Sequence, residues 1–67
     1  MEEKNFDTQL ESAMTLFKKR DYEGAMEEFK RLLDKDNKNP HLYNNIGLCY
    51  SHLGQTTMAE EYFKKAL

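Results

Sequence analysis

The residues best suited to metal chemistry are His41, Cys49 and His52, which fall within one stretch of helical pattern. On a helix the two histidines would share a face but lie about 16 Å apart, too far to bind one ion. Cys49 and His52 are three positions apart, but two ligands do not make a structural zinc site. We therefore predict no metal and no cofactor, and expect Cys49 to pack as a small apolar residue against the following helix.

Two pairs of adjacent carboxylates, Glu27-Glu28 and Glu60-Glu61, are the candidates for acid–base chemistry. Three of these glutamates precede a basic residue by four positions: Glu27 before Arg31, Glu60 before Lys64, and Glu61 before Lys65. Such pairs are typical of the solvated face of a helix. No nucleophile motif or glycine-rich phosphate loop is present. The pattern predicts no catalytic residue, so the chain is not expected to be an enzyme.

The composition predicts a small helical protein. The 67 residues suffice for one domain, and they include no Val and a single Ile, whereas Leu, Met, Lys, Glu and Ala favour helix. Ten basic and twelve acidic residues give a net charge of −2 without a basic patch, which argues against nucleic acid as a partner. No apolar stretch approaches the ~20 residues that cross a membrane. The acidic N-terminus MEEKNFDTQL is unlike a secretory signal, and the lone Cys49 favours a cytoplasmic setting.

Capping residues and turn signals predict four helices, near residues 8–19, 22–35, 40–53 and from Thr56 or Thr57 to residue 67. Thr8 and Glu11 have the spacing of a capping box, with Asp7 as the rival cap. Asp21 and Asn39 precede the second and third helices as N-caps, and Gly54 ends the third in the left-handed conformation. Because the links are short, we expect consecutive helices to be antiparallel neighbours.

The two halves of the chain repeat with an offset of 34 residues. Segment 25–33 reads AMEEFKRLL and segment 59–67 reads AEEYFKKAL. The offset pairs Ala25 with Ala59 and Phe29 with Phe63, and upstream it pairs the small residues Ala13 and Gly47. A period of this length with two helices per unit resembles the tetratricopeptide repeat.

The second unit resembles that family at every motif position: Tyr43, Ile46-Gly47, Tyr50, Ala59, Phe63 and Ala66. The first unit keeps Ala13, Leu16, Ala25 and Phe29 but departs at Gln9, Ser12 and Asn37. The resemblance implies an all-α fold in which two antiparallel helix-turn-helix hairpins stack as a short right-handed α-solenoid. It implies one domain over residues 1–67, with repeats at about 6–39 and 40–67, the second incomplete at its C-terminal end. Gly47 and Ala59 would lie where the paired helices are closest.

The resemblance also implies a module that binds a peptide or partner helix in a concave groove lined by the first helix of each unit. The predicted partner-binding residues are Leu10, Met14, Phe17, His41, Asn44, Asn45, Leu48, Ser51 and His52. Asn44 and Asn45 could bond the backbone of an extended ligand. The alternative is that the stripe of Leu10, Met14 and Phe17 is core between the first and third helices.

A second reading is a self-assembling unit. A repeat buries its apolar face only against a neighbour, and the last helix carries a further apolar set at Ala59, Phe63, Ala66 and Leu67. We expect these residues to mediate self-association, as a two-fold homodimer through the fourth helix or through exchanged helices. The alternative is that the chain is a fragment whose third unit follows.

Overall fold

The computed structural model describes residues 5–67, so the first four residues of the acidic N-terminal segment lie outside it. The helices are α1 (Phe6–Lys18), α2 (Tyr22–Leu33), α3 (Pro40–His52) and α4 (Thr56–Lys65). Within the described residues there is no strand. α1 packs on α2, α2 on α3, and α3 on α4. The fold is all-α and consists of two helical hairpins, as the sequence predicts.

The helix starts follow the predicted caps except at α1. The side chain of Asp21 accepts a hydrogen bond from the Gly24 amide at 3.0 Å, and that of Asn39 accepts one from the His41 amide at 2.9 Å. The prediction that α1 begins with a Thr8 or Asp7 cap is wrong. Asn5, in an extended conformation, caps α1 by accepting a hydrogen bond from the Thr8 amide at 2.8 Å. Thr8 therefore lies inside the first turn.

The two hairpin turns have the same backbone hydrogen bonds, 34 residues apart. In the first turn the amide of Asp21 donates to the Leu16 carbonyl and that of Arg20 to the Phe17 carbonyl. In the second, Gln55 donates to Tyr50 and Gly54 donates to Ser51. Both are Schellman motifs, which place one residue in the left-handed region. That residue is Arg20 at φ 68° in the first turn and Gly54 at φ 79° in the second.

The core runs through all four helices, and small residues mark the helix contacts. The buried hydrophobic residues are Ala13, Ala25, Phe29, Leu32, Leu42, Ile46, Cys49, Tyr50 and Ala59. Gly47 is also buried, and the Phe63 ring lies directly against it. Gly47 and Ala59, which we expect where the paired helices are closest, are both buried, and so are Ala13 and Ala25, their counterparts under the 34-residue offset.

Candidate partner-binding face

The predicted partner-binding residues lie on the first helix of each hairpin. We call the nine of them the α1–α3 face: Leu10, Met14, Phe17, His41, Asn44, Asn45, Leu48, Ser51 and His52. On α3, His41, Asn44, Ser51 and His52 are exposed, while Asn45 and Leu48 are half-buried. On α1, Met14 is 37% exposed. The face therefore combines accessible amide, hydroxyl and imidazole groups with a partly accessible thioether and leucine.

The alternative assignment of the α1 stripe to the core holds for part of it. Leu10 and Phe17 are half-buried and pack against the core, whereas Met14 is exposed. The three residues therefore differ in role, because the helix turns Leu10 and Phe17 further towards the interior. Met14 is the member of the stripe with the most surface to offer a partner.

An aromatic corner joins the ends of three helices. The His52 ring is stacked on Tyr22, with the ring planes 2° apart and the centroids 4.3 Å apart. The Phe17 ring is nearly perpendicular to both, and its centroid lies 5.2 Å from that of Tyr22 and 5.6 Å from that of His52. Phe17 and His52, both predicted to contact a partner, are thus already in contact with each other. Tyr22 was not anticipated as their neighbour.

A tyrosine cluster with two lysines connects the hairpins. Lys30 on α2 donates a 2.8 Å hydrogen bond to the Tyr50 hydroxyl on α3, and that bond raises the pKa of Lys30 above its ordinary value. Tyr62 lies 5.4 Å from Tyr50, and Lys65 is over the Tyr62 ring at 4.8 Å. The Tyr43 hydroxyl donates to the Asn37 carbonyl at 2.6 Å, which ties α3 to the link before it.

Of the four predicted self-association residues, the structure places Ala59 in the core, 3% exposed. Ala59 therefore has almost no surface to offer a second chain. Phe63 and Ala66 are half-buried, and Leu67 is fully exposed. The surface of this set is thus confined to the end of α4.

Cys49 is fully buried, and burial raises the pKa of its thiol to about 11. A thiol kept protonated in this way is a poor metal ligand and a poor nucleophile. Residues 5–67 contain no group of three or more histidine, cysteine or acidic side chains able to hold a metal ion. No helix in the same range is long and apolar enough to cross a membrane.

The second hairpin matches a known repeat family. The tetratricopeptide repeat model matches residues 40–67, which span α3, its turn and α4. The second hairpin is a tetratricopeptide repeat. In this repeat Gly47 admits the Phe63 ring, and Tyr50 and Ala59 are buried beside them. Tetratricopeptide repeats are generally protein–protein interaction modules. Neither the curated proteins nor the solved structures yielded a match.

Proposed function

We propose that this chain is a non-catalytic interaction module that binds a peptide or a partner helix through the α1–α3 face. The observation that carries the proposal is the tetratricopeptide repeat at residues 40–67, a kind of unit that generally mediates protein–protein interaction. The exposed Asn44 and Ser51 side chains offer hydrogen bonds to a partner. The half-buried Leu48 and the exposed Met14 offer apolar contact beside them.

The domain organisation belongs to the same proposal. Residues 1–67 form one domain, in which the first hairpin is a divergent repeat of the same kind. The matching Schellman turns at Arg20 and Gly54 and the buried pair Ala13 and Ala25 support this assignment. The face would then continue from α3 onto α1. A net charge of −2 favours a protein over nucleic acid as partner, and the buried free thiol of Cys49 suits the cytoplasm.

A peptide-display selection against the purified chain tests this function. Selected peptides are measured against wild type and against the variant Asn44→Ala/Leu48→Ala. The matched control is Lys38→Ala/Glu61→Ala, which changes two exposed residues outside the face. We expect the first variant to weaken binding about tenfold or more and the control to leave it unchanged. Peptides that bind both variants as tightly as wild type would contradict the proposal.

A second candidate function is self-association through α4. The specific observation is the difference in burial between equivalent residues. Phe29 and Leu32 on α2 are 0% exposed, whereas Phe63 on α4 and Ala66 directly after it are half-buried. A second copy would cover the remaining apolar surface. Sedimentation equilibrium tests this candidate, and a mass that stays monomeric at every concentration would contradict it.

A further inference from the structure

The helices pack in chain order, with α1 and α4 at the two ends. The surface of α4 at one end is equivalent to the surface by which α2 packs on α3. The 34-residue offset relates Phe63 and Lys64 on α4, and Ala66 and Leu67 directly after it, to Phe29, Lys30, Leu32 and Leu33 on α2. On α2, which packs against α3, Phe29 and Leu32 have no exposed surface. We call Phe63, Lys64, Ala66 and Leu67 the α4 outer face. Phe63 packs on Gly47 of α3, but Phe63 and Ala66 are only half-buried and Lys64 and Leu67 are exposed. This face therefore keeps surface that α3 does not cover.

At the other end of the molecule, the first hairpin carries a groove. Its position is equivalent to the surface of the second hairpin on which α2 packs. This α1–α2 groove has a volume of about 500 Å³ and is lined by Thr8, Glu11, Ser12, Thr15, Leu16 and Glu28. The offset relates Thr8, Ser12 and Thr15 to the buried residues Leu42, Ile46 and Cys49 on α3. The groove therefore lies where a preceding helix would pack on the first hairpin, as α2 packs beside the second.

The charges of the two ends are complementary. On α2, Lys30 donates a hydrogen bond to the Tyr50 hydroxyl, and the Tyr62 ring lies 5.4 Å from the Tyr50 ring, centroid to centroid. The 34-residue offset relates Lys30 to Lys64, Tyr50 to Leu16, and Tyr62 to Glu28. In the same arrangement between two copies, the Lys64 ammonium would meet the Glu28 carboxylate in place of a tyrosine. Glu28 has one oxygen bonded to Arg31 at 2.9 Å, and a carboxylate can accept from two cations.

We propose that the α4 outer face of one copy docks in the α1–α2 groove of a second copy, head to tail, as α2 packs against α3 within one chain. The proposal rests on the second candidate function and names the surface that α4 meets. Because the two contact surfaces differ, each copy keeps one free end and association continues into chains of copies. Hydroxyl side chains replace the apolar residues of α3 in the groove, so the contact is weak and depends on salt.

Charge reversal with sedimentation equilibrium tests the proposal. The samples are wild type, Glu28→Lys, Lys64→Glu, an equimolar mixture of these two variants, and the control Glu61→Lys, which reverses an exposed α4 charge outside the contact. Circular dichroism verifies that each variant keeps its helices. We expect wild type to gain average mass with concentration, each single reversal to weaken association about tenfold, and the control to match wild type. The mixture should recover the association, because each contact then pairs one lysine with one glutamate again.

Three results would overturn the proposal. Weakening by Lys64→Glu but not by Glu28→Lys indicates a two-fold contact between α4 helices, which leaves self-association standing. A mixture that does not recover association shows that Glu28 and Lys64 do not meet. A wild-type chain that stays monomeric up to about 1 mM, the range of weak affinities, overturns both this contact and self-association. None of these results bears on peptide binding by the α1–α3 face.

Discussion

A Cβ atom at position 47 would fall 2.6 Å from Cε1 and 2.7 Å from Cδ1 of the Phe63 ring. Glycine is thus the residue that lets α3 and α4 approach each other with the ring between them. This contact joins the two helices of the tetratricopeptide repeat and helps to fix the orientation of α3, which carries six of the nine residues of the α1–α3 face.

The substitution Gly47→Ala tests this contact. Alanine gains about 1 kcal/mol of helix propensity over glycine, but the collision with the ring costs about 1–3 kcal/mol of overpacking. We expect a net loss of about 1 kcal/mol in the free energy of unfolding, measured by urea denaturation. In the control background Phe63→Ala the collision is absent, so the same substitution should be neutral or stabilising. A loss of equal size in both backgrounds would show that the ring does not limit position 47.

The left-handed residue of each hairpin turn gives a matched pair of predictions. Arg20 has φ 68°, where a residue with a Cβ is strained by about 1 kcal/mol or more. We expect Arg20→Gly to raise the free energy of unfolding by about 1 kcal/mol, which shifts Tm upward by several degrees in a domain of this size.

Gly54→Ala is the reciprocal change and should lower the free energy of unfolding by about 1 kcal/mol. A Cβ at position 54 would meet no atom within 4 Å, so any loss comes from the backbone alone. Thermal unfolding of both variants checks the pair. Destabilisation by Arg20→Gly would mean that the arginine side chain contributes more than its conformation costs.

The aromatic corner predicts different roles for the two histidines. His52→Ala removes the ring stacked on Tyr22 and should cost about 1 kcal/mol of stability. His41 is exposed at the start of α3, and His41→Ala should change stability by no more than about 0.5 kcal/mol. Urea denaturation at pH 7.5 compares the two. Equal effects would show that the stacking of His52 does not stabilise the corner.

The bond between Lys30 and Tyr50 predicts a dependence on alkaline pH. Tyr50→Phe should lower the free energy of unfolding at pH 7 by about 1 kcal/mol, because the lysine loses its acceptor. The folded-state pKa of Lys30 is raised above its ordinary 10.5, so the contribution of the bond is complete below pH 10.5. It is lost as the pH rises through the raised folded-state pKa.

Denaturation curves of wild type and Tyr50→Phe from pH 7 to pH 11.5 measure this contribution. The difference in stability between the two proteins should narrow above pH 10.5. A constant difference over the whole range would indicate that the hydroxyl acts by packing and not by accepting from the lysine.

Local sequence signals were sufficient to predict the four helices and the small residues at the closest helix contacts. Asp21 and Asn39 cap their helices as predicted because capping depends on the side chain of the cap residue and the next few amides. The 34-residue offset identified the small residues at the helix contacts, because each repeat must solve the same packing problem. The same offset relates Arg20 to Gly54, so the positive φ of Arg20 could have been predicted from it.

Contacts between distant parts of the chain were not predictable in the same way. The stack of His52 on Tyr22 joins the last residue of α3 to the first residue of α2, and it depends on the orientation of one hairpin against the other. Helical periodicity placed His52 on the α1–α3 face but gave no information on its neighbour. Ala59 received two assignments from the sequence, to the contact of the paired helices and to a self-association surface with Phe63 and Ala66. Its 3% exposure agrees with the first and leaves almost no surface for the second.

The most direct test of the account is to map a selected peptide on the ¹⁵N-labelled chain by NMR. Partner binding by the α1–α3 face predicts the largest amide shift changes at Asn44, Asn45, Leu48 and Ser51 of α3 and around Met14 of α1. Saturable shifts confined to α2 or α4, with the α1–α3 face unmoved, would contradict it.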